Sequence, residues 1–363
     1  MKAEDIGTRR ADRASPSRSA RTGERSRLAD TVMITHGPEV FDRGDAAWLQ
    51  DRICPRRILV AGVMGRTAAE ESGLAVEFCD APPSSVIRRM NGRWFLANHG
   101  KTPESGRIFG EIVASRLQGG MVQVEFSDAS IYLWNGEEMG LARELHGATC
   151  FPVRQMQNPR RSAGDEREIR GCIPGEAVFV NGVVVGTATS DTVVLHTGDG
   201  HIQVVRGMNR KEHGIEKLER GGCIDLGSAW CKSGAIRSCS PRVGSPPSRC
   251  GSVLIIDHCG HALYHRLSPG ICGVLSIGDD TTAVCGHICA HLGLPVFGVV
   301  DGDGDGIVKA GFASGSVVVR VLRGRDDEVG RELSRVVEHG EAPWEEWVRR
   351  MLIHLGDSVQ VVL

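Results

Sequence analysis

Residues 93–104 read Arg93-Trp94-Phe95-Leu96-Ala97-Asn98-His99-Gly100-Lys101-Thr102-Pro103-Glu104, and this stretch decides the fold. An apolar run of strand length ends in a glycine turn. Thr102, Pro103 and Glu104 then supply the N-cap, N1 and N2 positions of a helix. Similar junctions stand earlier at Met33-Ile34-Thr35-His36-Gly37-Pro38-Glu39 and at Val63-Met64-Gly65-Arg66-Thr67, where Thr67 and Glu70 form a capping box. Short strands at Thr31–Thr35, Arg57–Ala61, Leu74–Phe78, Arg93–Ala97 and Met121–Phe126 alternate with stretches of helical period such as Glu39–Ile53 and Glu104–Leu117. Strand, helix, strand in that order predicts a Rossmann-like α/β domain over residues 31–153, with a parallel sheet and right-handed crossovers.

Outward from this core the chain changes character. Residues 1–30 are rich in Arg, Ser, Asp and Glu with little apolar content, which predicts a disordered tail. Gln155–Gly171, with Arg160 and Arg161, reads as a surface linker. Short alternating strands at Ala177–Val185, Thr192–His196 and His201–Arg206, with turns at Asn181-Gly182 and Gly198-Asp199-Gly200, predict a small antiparallel β domain over 172–231. Lys232–Arg249 reads as a Ser/Pro/Gly linker. Strands at Ser252–Ile256, Ile271–Ile277, Pro295–Val300 and Ser316–Leu322, with helices at Thr281–Leu292 and Asp326–Glu338, predict a C-terminal α/β domain over 251–363. Trp344, Trp347, Met351 and Leu355 share one helical face, as a packing helix requires.

The 363 residues carry 43 Lys plus Arg against 45 Asp plus Glu, a net charge of -2. That balance excludes a generally basic nucleic-acid coat and leaves room only for a local nucleic-acid contact. No apolar run approaches the roughly 18 residues of a membrane helix. Twelve cysteines without a C-x-x-C pair, behind an N-terminus lacking an apolar export core, predict a cytoplasmic protein whose thiols act as small hydrophobes.

Two constellations carry chemistry. In a parallel sheet the carboxyl ends lie along one edge, where open α/β sheets bind ligands. This places His36, Arg66, Thr67, His99, Lys101 and Thr102 as candidates for binding a small anionic ligand or a nucleotide, with helix starts adding free N–H groups. The plainer reading of each junction is helix initiation alone. In the C-terminal domain the strands end in Asp257, in Asp279-Asp280 and in Asp301-Gly302-Asp303-Gly304-Asp305. Asp301, Asp303, Asp257 and Asp279 are therefore candidate ligands of a divalent cation, Mg²⁺ or Mn²⁺, because a hard cation relieves the repulsion of clustered carboxylates. An EF-hand is excluded, since Phe312 occupies the position of its bidentate acid. The competing reading is a solvated Asp-Gly turn. His258, His261, His265, His287 and His291 could hold zinc, but no Glu completes H-E-x-x-H around His287, and packing roles suit these histidines better.

Taken together, His36-Gly37-Pro38-Glu39, Met64-Gly65-Arg66-Thr67, Asn98-His99-Gly100-Lys101-Thr102-Pro103-Glu104, Gly278-Asp279-Asp280-Thr281-Thr282 and Asp301-Gly302-Asp303 resemble an archaeal family of unknown function found mainly in methanogens. The resemblance implies an archaeal cytoplasmic origin and no reaction. A weaker similarity links the C-terminal domain to the Toprim fold, in which an acid after one strand and a D-x-D after a later one hold Mg²⁺. Asp301 and Asp303 match that D-x-D, whereas Asp257 stands where the fold uses Glu. Two functions of different class follow. One is a divalent-metal-dependent enzyme acting on a phosphorylated or nucleotide-like substrate; the other is a non-catalytic sensor or assembly factor that binds an anionic ligand.

Overall fold

The structure is a computed structural model that describes residues 27–79, 81–157, 166–198, 201–219, 222, 224–227, 229, 231–245, 250–323, 326–336 and 342–363. It is a mixed α/β protein built on four sheets. The first holds β1 (Val32–His36), β2 (Arg57–Ala61), β3 (Glu77–Cys79), β4 (Trp94–Asn98), β5 (Met121–Glu125), β6 (Ser130–Trp134) and β7 (Val153–Met156). Its order is β3-β2-β1-β4-β5-β6-β7, parallel from β3 to β5 and turned once at the antiparallel β5–β6 pair. Helices α1 (Asp45–Ile53), α2 (Val63–Ser72), α3 (Pro103–Ala114) and α4 (Met139–Thr149) accompany this sheet. Chain order reverses between β1 and β4, so a crevice opens beyond their carboxyl ends.

Two small antiparallel sheets follow. One pairs β9 (Ala177–Val180) and β10 (Val183–Ala188) with β13 (Met208–Arg210) and β14 (Cys231–Ser233); the other joins β8 (Glu166–Arg170), β11 (Thr192–Gly198) and β12 (His201–Arg206). Asn181 and Gly182 both take positive φ, 48° and 85°, as a type I′ hairpin turn requires. Helix α5 (Glu212–Glu219) packs on β10.

The C-terminal sheet has the order β19-β15-β16-β17-β18-β20: β15 (Cys250–Asp257), β16 (Ile271–Ile277), β17 (Val296–Val300) and β18 (Val317–Val321) run parallel. The edges β19 (Ala342–Pro343) and β20 (Val359–Val361) are antiparallel. Right-handed connections between neighbouring parallel strands must all fall on one face. Leu263, α6 (Asp279–Leu292) and Ile307 accordingly lie in a single core cluster, while α7 (Asp326–Val336) and α8 (Trp344–Leu355) contribute Leu333, Trp347 and Met351 to another. Among the described residues, no helix is long and apolar enough to cross a membrane.

Three stretches depart from the sequence reading. Of the expected tail, residues 1–26 lie outside the described residues, but Leu28 is buried in the first core and its carbonyl accepts from the Thr31 hydroxyl at 2.6 Å. Glu166–Arg170, read as linker, is strand β8 paired with β11, because alternate residues such as Ile169 find an apolar core. Arg160, Arg161, Asp199 and Gly200 lie outside the described residues. The supposed linker after Cys231 begins as β14 and then delivers Arg237 to the protein interior.

Arg237 is the chief polar tie between the first and last sheets. Its Nε donates to Asp42 Oδ2 at 2.9 Å, one terminal nitrogen donates to Glu71 Oε2 at 2.6 Å, and the other to His287 Nε2 at 3.0 Å. His287 can accept there because its Nδ1 donates to the Lys309 carbonyl at 2.8 Å. Removing one partner of a buried ion pair strands the other charge. Arg237→Ala is therefore expected to cost about 3–5 kcal/mol, read as a fall in urea midpoint, and adding Asp42→Asn with Glu71→Gln should recover part of the loss.

Candidate functional site

The first sheet delivers its expected anion ligands to the carboxyl edge but neutralises most of them. His99 Nδ1 lies 2.6 Å from Asp45 Oδ2, Arg66 Nε donates to Glu70 Oε1 at 2.9 Å, and Lys101 Nζ stands 3.4 Å from Glu176 Oε1. The Arg66 guanidinium is also sandwiched between the rings of Phe78 and Tyr264. Thr67 is fully buried and its hydroxyl meets the Tyr264 hydroxyl at 3.0 Å; Thr102 caps α3 in a reciprocal bond with Ser105. The six candidates thus divide: Arg66 and Thr67 belong to the contact with the C-terminal sheet, and His36 and Lys101 remain at the β1–β4 crevice. Burial raises the Glu70 carboxyl, but hydrogen bonds from His291, Arg66 and Tyr264 outweigh it and hold the group below its ordinary range.

A residue missed from sequence holds the turn after β4. Buried Glu125 accepts from Gly100 N at 2.7 Å, from Asn98 Nδ2 at 2.7 Å and from the Ser127 hydroxyl at 2.7 Å. Gly100 packs so tightly that an added Cβ would fall 2.4 Å from Gly106 N, so only glycine fits. An acid at the end of the expected strand β5 was the available signal.

The four acids proposed as metal ligands fall into two groups on the rim of the C-terminal sheet. Asp279, Asp301 and Asp303 bring oxygens within 4.8 Å of one another; Asp257 instead groups with His258 and Asp327. Asp279 is heavily engaged, accepting from the backbone N–H of Asp301 at 2.9 Å and of Gly302 and Gly304 at 3.2 Å. Asp303 faces Lys211, whose Nζ also donates to Asp305 Oδ2 at 2.8 Å. Burial, then the charges of Asp303 and Asp279, push the Asp301 carboxyl up.

The second group has a different geometry. His258 takes a positive φ of 50°, uncommon for a residue with a Cβ. Its Nδ1 lies 2.5 Å from Asp257 Oδ1, while Nε2 turns toward Asp327 Oδ1 at 3.4 Å and Asp326 Oδ2 at 3.9 Å. Asp326 and Asp327 open α7 and were not singled out from sequence, although they follow the fourth parallel strand as the other acids follow the first three. His287, His291 and His258 are dispersed: His287 binds Arg237, and His291 Nε2 meets Glu70 Oε2 at 3.1 Å. A cleft of about 360 Å³ lies against the group, lined by Asp257, His258 and Asp327 together with His213 and Lys217 of α5 and Arg331 of α7.

Fold and site define an α/β protein with acids gathered at the carboxyl rim of a parallel sheet and cations facing them across a cleft. The chain belongs to the family described as uncharacterized protein conserved in archaea, DUF2117, which matches residues 33–341. It is 32% identical over 330 residues to Uncharacterized protein MJ0065 of the methanogen Methanocaldococcus jannaschii, covering 84% of this chain and 90% of that protein. No solved structure matches it.

The acid rim predicts a pH response. Burial, then the Asp301 charge, raises the Asp326 carboxyl to about 6, and burial with the facing Asp305 raises Asp280 well above its ordinary value. The folded state therefore keeps protons that the unfolded chain releases near pH 4. That stability is complete below the unfolded value and is lost as pH rises through about 6 and beyond. In metal-free buffer the melting temperature should fall between about pH 5 and about pH 8, and Asp280→Asn with Asp326→Asn should flatten the slope.

Proposed function

We propose that the protein is a divalent-cation-dependent enzyme acting on a phosphorylated or nucleotide-like substrate in the cleft between α5 and the C-terminal rim. The observation that carries this reading is one cleft lined by Asp257, His258 and Asp327, with Arg331 a turn further along α7, and by His213 and Lys217 of α5. Bonds of about 2.1 Å at roughly 90–110° set donor atoms about 3.0–3.4 Å apart. The 3.4 Å between His258 Nε2 and Asp327 Oδ1 suits one ion held between them, with Asp326 Oδ2, at 3.9 Å, just behind that pair. Asp257 then acts on His258, fixing the ring through Nδ1 as carboxylates do for metal-binding imidazoles. A set mixing imidazole with carboxylates favours Mn²⁺ over Mg²⁺.

An ion held there would polarise a phosphoryl oxygen and orient water or a hydroxyl, with Lys217 and Arg331 placed to offset the remaining charge and His213 to hydrogen-bond the substrate. Asp279, Asp301 and Asp303 are the second place a cation fits, ranked behind because Asp279 already serves backbone donors and Asp303 faces Lys211. Among the described residues no Ser, Thr or Cys lines the cleft; with Asp257, His258 and Asp327 engaged with one another, this favours attack by water in the enzyme and is equally what a non-catalytic sensor would show.

Mn²⁺ should stabilise the protein by about 2.7 kcal/mol at a hundredfold excess over Kd, visible as a raised melting temperature. His258→Ala with Asp327→Asn should abolish that response, whereas Asp301→Asn with Asp303→Asn should leave most of it. Phosphate release from nucleoside triphosphates and p-nitrophenyl phosphate, dependent on Mn²⁺ and on His258, is the expected activity. Stabilisation by these compounds without release would select the sensor, and no response to Mn²⁺ would remove the reading altogether.

A further inference from the structure

The crevice at the β1–β4 reversal brings together a buried ring nitrogen without a partner, on His36, and a half-buried lysine, Lys232. His36 ends β1 with its ring stacked on Phe109, centroids 5.1 Å apart, and its Nδ1 is buried without a full hydrogen bond, the Ala61 backbone being only a loose neighbour. Lys232, in the middle of β14, is brought over the same edge. An added Cβ at Gly234, two residues on, would fall 2.0 Å from Lys101 Nζ and 2.2 Å from Glu176 Oε2, so β14 runs directly across the Lys101–Glu176 pair. Among the described residues no hydrogen bond or ion pair ties the Lys232 ammonium, although Lys101, His36, Glu39 and Glu176 all act on it electrostatically. Buried polar groups in native proteins are satisfied with few exceptions, and His36 Nδ1 is such an exception, one that a missing ligand beside the half-buried Lys232 would explain.

We infer that this crevice binds a small oxyanion, a phosphate or carboxylate group, with Lys232 as its counter-charge, Lys101 beside it and His36 as a hydrogen-bond partner. The site lies on the first sheet, uses no residue of the C-terminal cleft and needs no metal, so it stands or falls apart from the proposed enzyme. Open α/β sheets bind ligands at such a reversal of strand order. Each of the other expected cations on this edge already has its carboxylate: Arg66 has Glu70 and His99 has Asp45. Glu176 draws off part of the Lys101 charge, which leaves Lys232 as the cation free to pair.

The charges around Lys232 make binding proton-linked. Burial first, then repulsion by Lys101, lowers its amine to about 8, with Glu39 and Glu176 opposing, while burial and Lys232 together lower His36 to about 4. His36 is therefore neutral near pH 8 and takes no part in the titration there. An anion seated beside Lys232 favours the charged ammonium, so binding near pH 8 takes up a proton. Affinity should then weaken above that pH by up to about tenfold per pH unit.

Isothermal titration calorimetry tests this with inorganic phosphate and with succinate, at about pH 8 in two buffers of different ionisation enthalpy. Expected are binding of at least one anion with net proton uptake, loss of tenfold or more in affinity in Lys232→Met, and retained binding without uptake in Lys232→Arg. The two anions distinguish a phosphate from a carboxylate site. Binding of neither anion, unchanged affinity in Lys232→Met, or persistent uptake in Lys232→Arg would each overturn the inference, and the arginine variant serves if the methionine variant fails to fold.

Discussion

The arrangement of the sheets depends on a single buried guanidinium. Arg237 is 2% exposed, and a charge so placed is tolerable only if its donors are matched. Asp42 and Glu71 come from the first sheet's connections, His287 from α6 of the last, and Arg237 itself from the segment after β14. Three parts of the chain must therefore agree in position before the charge is satisfied. Apolar packing supports the same junction: Met64 of α2, Phe179 and Val184 of the small sheets, and Ile288 of α6 share one core. Specificity of assembly is the role best suited to the ion cluster, since such pairs contribute less to net stability than to the choice of a single arrangement.

The two parallel sheets obtain their sites in different ways. In the first, the strand order reverses between β1 and β4, so connections leave on opposite faces and a crevice opens at the rim. In the last, β15 to β18 follow chain order, no reversal exists, and the connections share one face. Its rim becomes a site only because a neighbour faces it: α5, carried by the small sheets, sets Lys217 and His213 opposite Asp257 and Asp327. A unit read from sequence as a separate small domain thus supplies Lys217 to one edge, and the stretch read as the linker after it supplies Lys232 to the other, as part of strand β14.

Electrostatics distinguishes the two edges. At the edge of the first sheet Arg66 and Lys101 are matched by Glu70 and Glu176, and His99 is bonded to Asp45, so Lys232, brought over from β14, is the cation left over. On the last, acids outnumber nearby cations, and several carboxyls are raised because burial and like charges disfavour ionisation. Such a rim is under strain in the absence of counter-charge, and a cation or a proton relieves it.

By itself the sequence determined the architecture of the parallel sheets, because apolar runs of strand length, glycine turns and helix caps are local and each names its own element. It also determined that acids and cations would gather at the carboxyl edges, since a parallel sheet sends every strand end to one rim. What it could not supply was pairing. His99 and Lys101 read as free ligands because Asp45 and Glu176 become their neighbours only on folding, and Arg66, though a turn from Glu70 on one helix, meets Tyr264 only across the molecule. Lys232 and Arg237 sat in a stretch that looked like linker, since short strands and single buried charges leave no periodic trace. Asp257 pairs with the ring of the neighbouring His258, whose left-handed conformation aims its far nitrogen at α7, and no local pattern announces that contact. Local pattern is legible in one dimension; which charge meets which is a property of distance, and only the tertiary structure sets distance.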